Sequence, residues 1–165
     1  MNDNGFTGGC QCGAVRFHAT ELRDNPHVCY CRMCQKATGN LFASLVGVRH
    51  QHLTWTRGTP SNFRSSEHVN RGFCKDCGTP LYHQYLGGPH VSISIGSFDE
   101  PHNIALLYQM GIEGKHPSLF HLNDIEEVGT TESADPEGTV VIRRTNNQHP
   151  DHDTESWNPR PPEPS

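Results

Sequence analysis

Long hydrophobic runs are missing from this chain. No stretch approaches the roughly 20 apolar residues that a membrane-spanning helix requires. The opening Met1-Asn2-Asp3-Asn4-Gly5-Phe6-Thr7 has neither the basic nor the apolar region of a secretory signal. Positive charge is also scarce, with 13 Lys and Arg against 18 Asp and Glu, a net charge of −5 and a pI near 6.1. No five-residue basic run exists, which argues against nucleic acid as an obligatory partner, since phosphate binding needs a basic surface. Hydrophobic residues make up only 33%, below the usual globular share, so the core is small and a metal staple is favoured. There is no P-loop, no dinucleotide fingerprint and no Ser-His-Asp order. A cytoplasmic location is expected, where thiols stay reduced.

What the chain does have is turn residues and cysteine. Its 165 residues suit one domain with a modest core, and 16 glycines with 12 prolines favour short strands over long helices. Strands are expected over 14–19, 41–48, 53–55, 80–85 and 90–95, the last alternating at period two, and Arg71-Gly72-Phe73 leads into Cys74. Gln35-Lys36-Ala37-Thr38-Gly39 reads as one helical turn ended by its glycine. Ile104 to Met110 suits a helix or a strand, and Thr139-Val140-Val141-Ile142-Arg143 reads as a last strand. From about Asn146 the chain is polar and proline-rich, with Trp157 its only large apolar residue; composition predicts poor order there in isolation, with packing against the domain or a neighbour as the alternative. The expected organisation is therefore a mainly β domain over 1–144 with little helix, followed by a tail over 145–165.

Seven cysteines fall in three clusters: Cys10-Gln11-Cys12, Cys29-Tyr30-Cys31-Arg32-Met33-Cys34 and Cys74-Lys75-Asp76-Cys77. An odd number cannot all pair within one chain, and clustered thiols in a reducing compartment bind metal. Thiolate is a soft ligand whose usual cellular partner is tetrahedral zinc. Gly13 and Gly78 each follow a pair, allowing the sharp turn that points amide N–H groups at the sulfurs. Seven divides into a closed four-cysteine site and an open three-cysteine site. Spacing leaves two partitions. One groups Cys10, Cys12, Cys74 and Cys77, leaving Cys29, Cys31 and Cys34, which sit within six residues and can wrap one ion. The other builds a zinc-ribbon-like knuckle from Cys31, Cys34, Cys74 and Cys77. Ferredoxin spacing is not matched.

Other candidates have simpler readings. His149-Pro150-Asp151-His152-Asp153 looks like a surface metal tract, but a solvated acidic tail with incidental histidines accounts for it more simply. His27 is placed to be a fourth ligand or a base, yet such a histidine more often hydrogen-bonds nearby backbone. Asp99 reads as a turn residue.

Residues 8–17 (Gly8-Gly9-Cys10-Gln11-Cys12-Gly13-Ala14-Val15-Arg16-Phe17), 29–39 (Cys29-Tyr30-Cys31-Arg32-Met33-Cys34-Gln35-Lys36-Ala37-Thr38-Gly39) and 73–81 (Phe73-Cys74-Lys75-Asp76-Cys77-Gly78-Thr79-Pro80-Leu81) follow one another in order. Together they strongly resemble the glutathione-dependent formaldehyde-activating (GFA) family, the CENP-V/GFA-type domain. A weaker echo at Gly96-Ser97-Phe98-Asp99-Glu100-Pro101 extends the core motifs to 8–101. The resemblance implies an Mss4-like (β-tent) fold of small antiparallel sheets held together by zinc. It also implies two Zn2+ per chain, with Cys10, Cys12, Cys74 and Cys77 on a structural ion and Cys29, Cys31 and Cys34 on a catalytic one. Tyr30 stands where many members carry His.

The activity implied is that of a carbon–sulfur lyase acting on glutathione or a similar small thiol and formaldehyde. Arg32 and Lys36, close to the open site in sequence, are candidate contacts for a substrate carboxylate. Two rivals use the same residues: a non-catalytic zinc-stabilised binding module, and a thiol redox protein. A pure scaffold needs no incomplete third set of ligands, and a redox protein would expose reactive thiols without prior chelation.

Overall fold

The computed structural model describes residues 5–156. Among these residues ten short strands form two sheets. The smaller is antiparallel and joins β1 (Phe6–Gly9), β2 (Arg16–Ala19) and β5 (Leu53–Arg57) in the order β1-β2-β5. The larger contains β3 (His27–Cys29), β4 (Ala43–Arg49), β6 (Ser61–Ser66), β7 (Val69–Phe73), β8 (Pro80–Tyr85), β9 (His90–Ser94) and β10 (Tyr108–Met110). Its order is β10-β3-β4-β9-β8-β7-β6, antiparallel throughout except where β10 runs parallel to β3, Tyr108 opposite His27. Among the described residues helix is confined to α1 (Arg32–Thr38), α2 (Thr131–Ala134), α3 (Pro136–Thr145) and several single 3-10 turns. Among the described residues no helix is long and apolar enough to cross a membrane.

The core lies where the sheets face each other. Val46 stands opposite Ile93, and Val48 opposite Val91, so two period-two strands present one apolar face. Phe17 and Ala19 of β2 close on that face, with the Phe17 ring edge-on to Trp55 at 5.9 Å and to Phe98 at 5.1 Å. The other face of β4 is covered as well: Ala43 and Leu45 pack with Cys29 and Cys34. Burial on both faces explains why 41–48 reads as a near-continuous apolar run rather than an alternating one.

β1 was harder to anticipate, because its two glycines carry no pattern. Gly8 is needed for close approach: a Cβ there would lie 2.3 Å from the Ser97 carbonyl oxygen and 2.5 Å from the Phe17 ring. The segment 139–143, expected to be a strand, is helical within α3. Asp135 caps it by accepting the Gly138 N–H, Pro136 occupies its first turn, and Arg143 with Arg144 lies in its last turn. End signals outside the β-branched run decide its conformation. The polar segment after Asn146 also departs from expectation, since His149 is 4% exposed and its N–H donates to the Gln11 carbonyl at 2.7 Å. Trp157 lies outside the described residues.

Candidate metal centres

Two turns of the same design bring four sulfurs together. After β1, the Cys10 N–H donates to the Val15 carbonyl, the Gly13 N–H to the Cys10 carbonyl, and the Val15 N–H to Cys10 Sγ at 3.3 Å. Between β7 and β8, the Cys74 N–H donates to the Thr79 carbonyl and the Gly78 N–H to the Cys74 carbonyl. Gly13 and Gly78 have φ of 72° and 77°, the left-handed region where glycine carries no Cβ penalty. The Sγ atoms of Cys10, Cys12, Cys74 and Cys77 all lie within 4.8 Å of one another. Sulfurs at the corners of a tetrahedron with zinc–thiolate bonds of about 2.3 Å lie about 3.8 Å apart. Cys10 and Cys12 are separated by 3.6 Å, and Cys12 and Cys74 by 3.8 Å. A disulfide needs about 2.05 Å. The donor set therefore fits a thiolate-bound ion.

The second cluster is built on one short helix. Cys29 ends β3, Cys31 is the N-cap of α1, and Cys34 lies one turn into it. Gly39, with φ of 63°, ends the helix in a left-handed cap, as its position in the sequence predicts. The three Sγ atoms lie within 4.8 Å of one another, and no fourth His, Cys, Asp or Glu joins them among the described residues. The ribbon-like combination of Cys31 and Cys34 with Cys74 and Cys77 is not brought together as one group.

The thiols divide in their protonation. Burial pushes Cys29 up to about 12, with the neighbouring Cys34 and Cys31 thiols adding to it. Burial likewise raises Cys12 to about 11 and pushes Cys10 up. Burial also opposes ionisation of Cys77, but the Thr79 hydroxyl and backbone donors outweigh it and bring Cys77 down to about 6. Against burial, Cys31 is lowered by the Cys34 backbone N–H and the Cys34 and Cys29 thiols. The four-cysteine cluster thus sets one lowered thiol beside two raised ones, the three-cysteine cluster one lowered thiol beside one raised, and metal uptake would release protons.

A cavity of about 400 Å³ adjoins the three-cysteine cluster. Met33 and Lys36 reach it from α1, Leu45 from β4, Phe63 from β6, Arg71 from β7 and Tyr82 from β8. Arg71 links cavity and cluster: its Nη2 donates to Cys34 Sγ at 3.5 Å and its Nε to Ser65 Oγ at 3.2 Å. His83 stands opposite Arg71 in the sheet, and burial together with the Arg71 charge brings it down to about 4, keeping it neutral.

The sequence-predicted contacts separate here. Lys36 lines the cavity, whereas Arg32 is exposed and donates to Gln35 Oε1 at 3.1 Å. His27 is outside the sulfur cluster; it bonds the Asn25 carbonyl and stacks on Tyr108 at 4.9 Å. The Tyr30 hydroxyl donates to Gln109 Oε1 at 2.9 Å. Arg71 was missed because nothing local distinguishes it; only the cross-strand register places it beside Cys34. His149 was also misread: the Arg57 guanidinium donates to its Nε2 at 3.2 Å, so it is a docked residue and not part of a solvated tract.

Comparison with known proteins agrees with this geometry. The chain is 26% identical over 111 residues to an uncharacterized lyase of Schizosaccharomyces pombe, covering 67% of this chain and 80% of that one. It is 28% identical to a putative glutathione-dependent formaldehyde-activating enzyme of Penicillium rubens, covering 70% of this chain and 72% of the other. In fold it is similar to a crystal structure of a Rhodobacter sphaeroides protein, with a TM-score of 0.52 and 22% identity over 62% of this chain and 98% of that one. The family model described as glutathione-dependent formaldehyde-activating enzyme matches residues 5–110, and the chain belongs to that family.

Proposed function

We propose that this chain is a zinc-dependent carbon–sulfur lyase. It joins a small thiol, glutathione or a close analogue, to formaldehyde and cleaves the S-hydroxymethyl adduct in reverse. In this reading Cys10, Cys12, Cys74 and Cys77 hold a structural zinc, and Cys29, Cys31 and Cys34 hold a second. Cys29, Cys31 and Cys34 would hold this ion, and it would supply the positive charge that favours an incoming thiol as thiolate. In the net reaction the thiol sulfur bonds to the carbonyl carbon, and the proton it loses ends on the former carbonyl oxygen. No cysteine of the chain becomes covalently attached to substrate. Arg71 and Lys36 orient an anionic thiol beside the cluster, and the apolar wall of Met33 and Leu45 excludes water from it. The reduced thiols suit the cytoplasm.

The observation that carries this reading is a three-sulfur cluster with no fourth protein ligand among the described residues, beside a cavity whose Arg71 touches it. Because thiols add to formaldehyde unaided, the test is a rate: the exchange between free glutathione and its S-hydroxymethyl adduct, followed by magnetisation-transfer NMR. Wild-type protein accelerates it. Cys31→Ser loses one of two bound zinc ions and the acceleration, while its circular dichroism stays unchanged. A Cys31→Ser protein that keeps both ions and full acceleration sinks the reading.

A further inference from the structure

We propose that the cavity beside the three-cysteine cluster recognises its thiol by carboxylate and carbon skeleton, and makes no use of a free amino group. The inference rests on the thiol–aldehyde reading above and narrows its substrate class: an N-acylated or deaminated acidic thiol serves as well as glutathione.

Two cations, Lys36 and Arg71, line the cavity, and none of its lining residues is Asp or Glu. Much of the remaining wall is carbon, from Met33, Leu45, Phe63, Phe73 and Pro80. The volume of about 400 Å³ lies at the lower end of ligand pockets, so a ligand of tripeptide size or less makes contact on several sides. Arg71 is half-buried and has no carboxylate within ion-pair distance among the described residues; its partners are the Ser65 hydroxyl and the Cys34 sulfur. Lys36 is exposed and likewise makes no ion pair there. A planar fork with no carboxylate partner, half out of water, is complementary to a carboxylate.

An ammonium group meets the opposite conditions. Glutathione carries two carboxylates and one ammonium, and among the side chains that line the cavity only the carboxylates find partners of opposite charge. Its ammonium, if drawn into the cavity, is desolvated against carbon and repelled by two cations. The group must therefore stay in solvent, and capping it removes nothing that the cavity holds. The Arg71 contact with Cys34 also fixes where the anion sits, on the side of the cavity that abuts the cluster.

Thioether analogues isolate this recognition from reactivity, because a methylated sulfur delivers no thiolate. Titration calorimetry on the zinc-loaded protein compares S-methylglutathione, its N-acetyl derivative and its dimethyl ester. The N-acetyl compound should bind within about twofold of the parent, and the ester about tenfold or more weaker. Arg71→Met should reproduce the loss seen with the ester, and so should Lys36→Met to a smaller degree. Arg71 donates to Cys34 whereas the exposed Lys36 makes no hydrogen bond to a cysteine among the described residues, so the Lys36 variant keeps the test alive if Arg71→Met disturbs metal content. Tenfold weakening by N-acetylation, equal binding of the ester, or no binding by any thioether overturns the proposal. If the binding pattern holds and the protein fails to accelerate adduct exchange, the lyase reading falls and the pocket assignment stands.

Discussion

A guanidinium buried in a small core must carry its counter-charge with it. Arg16, 3% exposed, is gripped by Asp99 through both terminal nitrogens at 2.7 and 2.6 Å and by Asp153 at 2.6 Å. Thr7 donates a further hydrogen bond to Asp99. Burial alone would raise the Asp99 carboxyl, but the Arg16 fork and the Thr7 hydroxyl outweigh it and hold it below its ordinary 3.8. The sign follows from linkage: a depressed folded-state value stabilises the fold above the unfolded value, and that stabilisation is lost as pH falls through the folded one. Asp99→Asn should therefore cost about 3 kcal/mol near pH 7, read as a lower urea midpoint. The gap between variant and wild type should close below the ordinary carboxylate range. A midpoint that does not move at pH 7 refutes the pairing as a stabilising element. Asp99 shows what a turn-like sequence context conceals, since its partner lies 83 positions away.

At the scale of elements, residues 146–156 act as a strap across the β1–β2 turn. His149 Nδ1 faces the Pro150 carbonyl at 2.7 Å, which assigns the proton to Nδ1 and leaves Nε2 to accept from Arg57. Arg57 also donates to the Thr154 carbonyl, and Arg16 to Asp153. Burial lowers the His149 titration despite the Pro150 hydrogen bond, and the charges of Arg16 and Arg57 lower it further. A protonated His149 would turn an N–H toward a guanidinium. The docked strap binds fewer protons than the released one, so docking is fully favoured above the ordinary histidine value of 6.5 and weakens as pH falls below it. Amide protection at 149–154, taken relative to intrinsic exchange, should fall between pH 7 and pH 5 in wild type. In His149→Gln, which keeps an acceptor and a donor without a titrating ring, exchange should show only its intrinsic pH dependence. A strap equally protected at both pH values in wild type contradicts this account.

Local patterning is what the sequence makes legible. Strands with a self-contained period, such as 80–85 and 90–94, were legible, as were the cysteine turns, because glycine after thiolate is a local device. The strap was not. Its composition is that of a solvated tail, and what docks it are Arg16 and Arg57, on strands more than 90 residues earlier. The helix over 139–143 was misread because its β-branched run outweighed the cap residues on either side. Arg71 carries no signal short of the sheet register itself.

At the scale of the whole molecule, the two sulfur clusters differ in what they join. Cys10 and Cys12 belong to the turn of the three-stranded sheet, and Cys74 and Cys77 to a turn of the seven-stranded one, so the four-sulfur centre fastens sheet to sheet across 62 positions of chain. Trp55 and Tyr82 pack against that centre and against the main core alike. The three-sulfur cluster instead ties α1 to the end of β3, inside a region already paired by β4 and β10. Structural thiolate sites contribute on the order of 10 kcal/mol or more to folding, far above what a core with 33% hydrophobic composition can spare. Loss of the two ions should then be unequal. Titration with a chelator should remove one ion while far-UV circular dichroism and amide protection of β2 and β5 persist, and removal of the second should coincide with unfolding. Cys77→Ser should yield no soluble folded protein, whereas Cys31→Ser melts within a few degrees of wild type. Simultaneous loss of both ions with the fold, or a Cys77→Ser protein that melts like wild type, would mean that the sheets hold together without the four-sulfur centre.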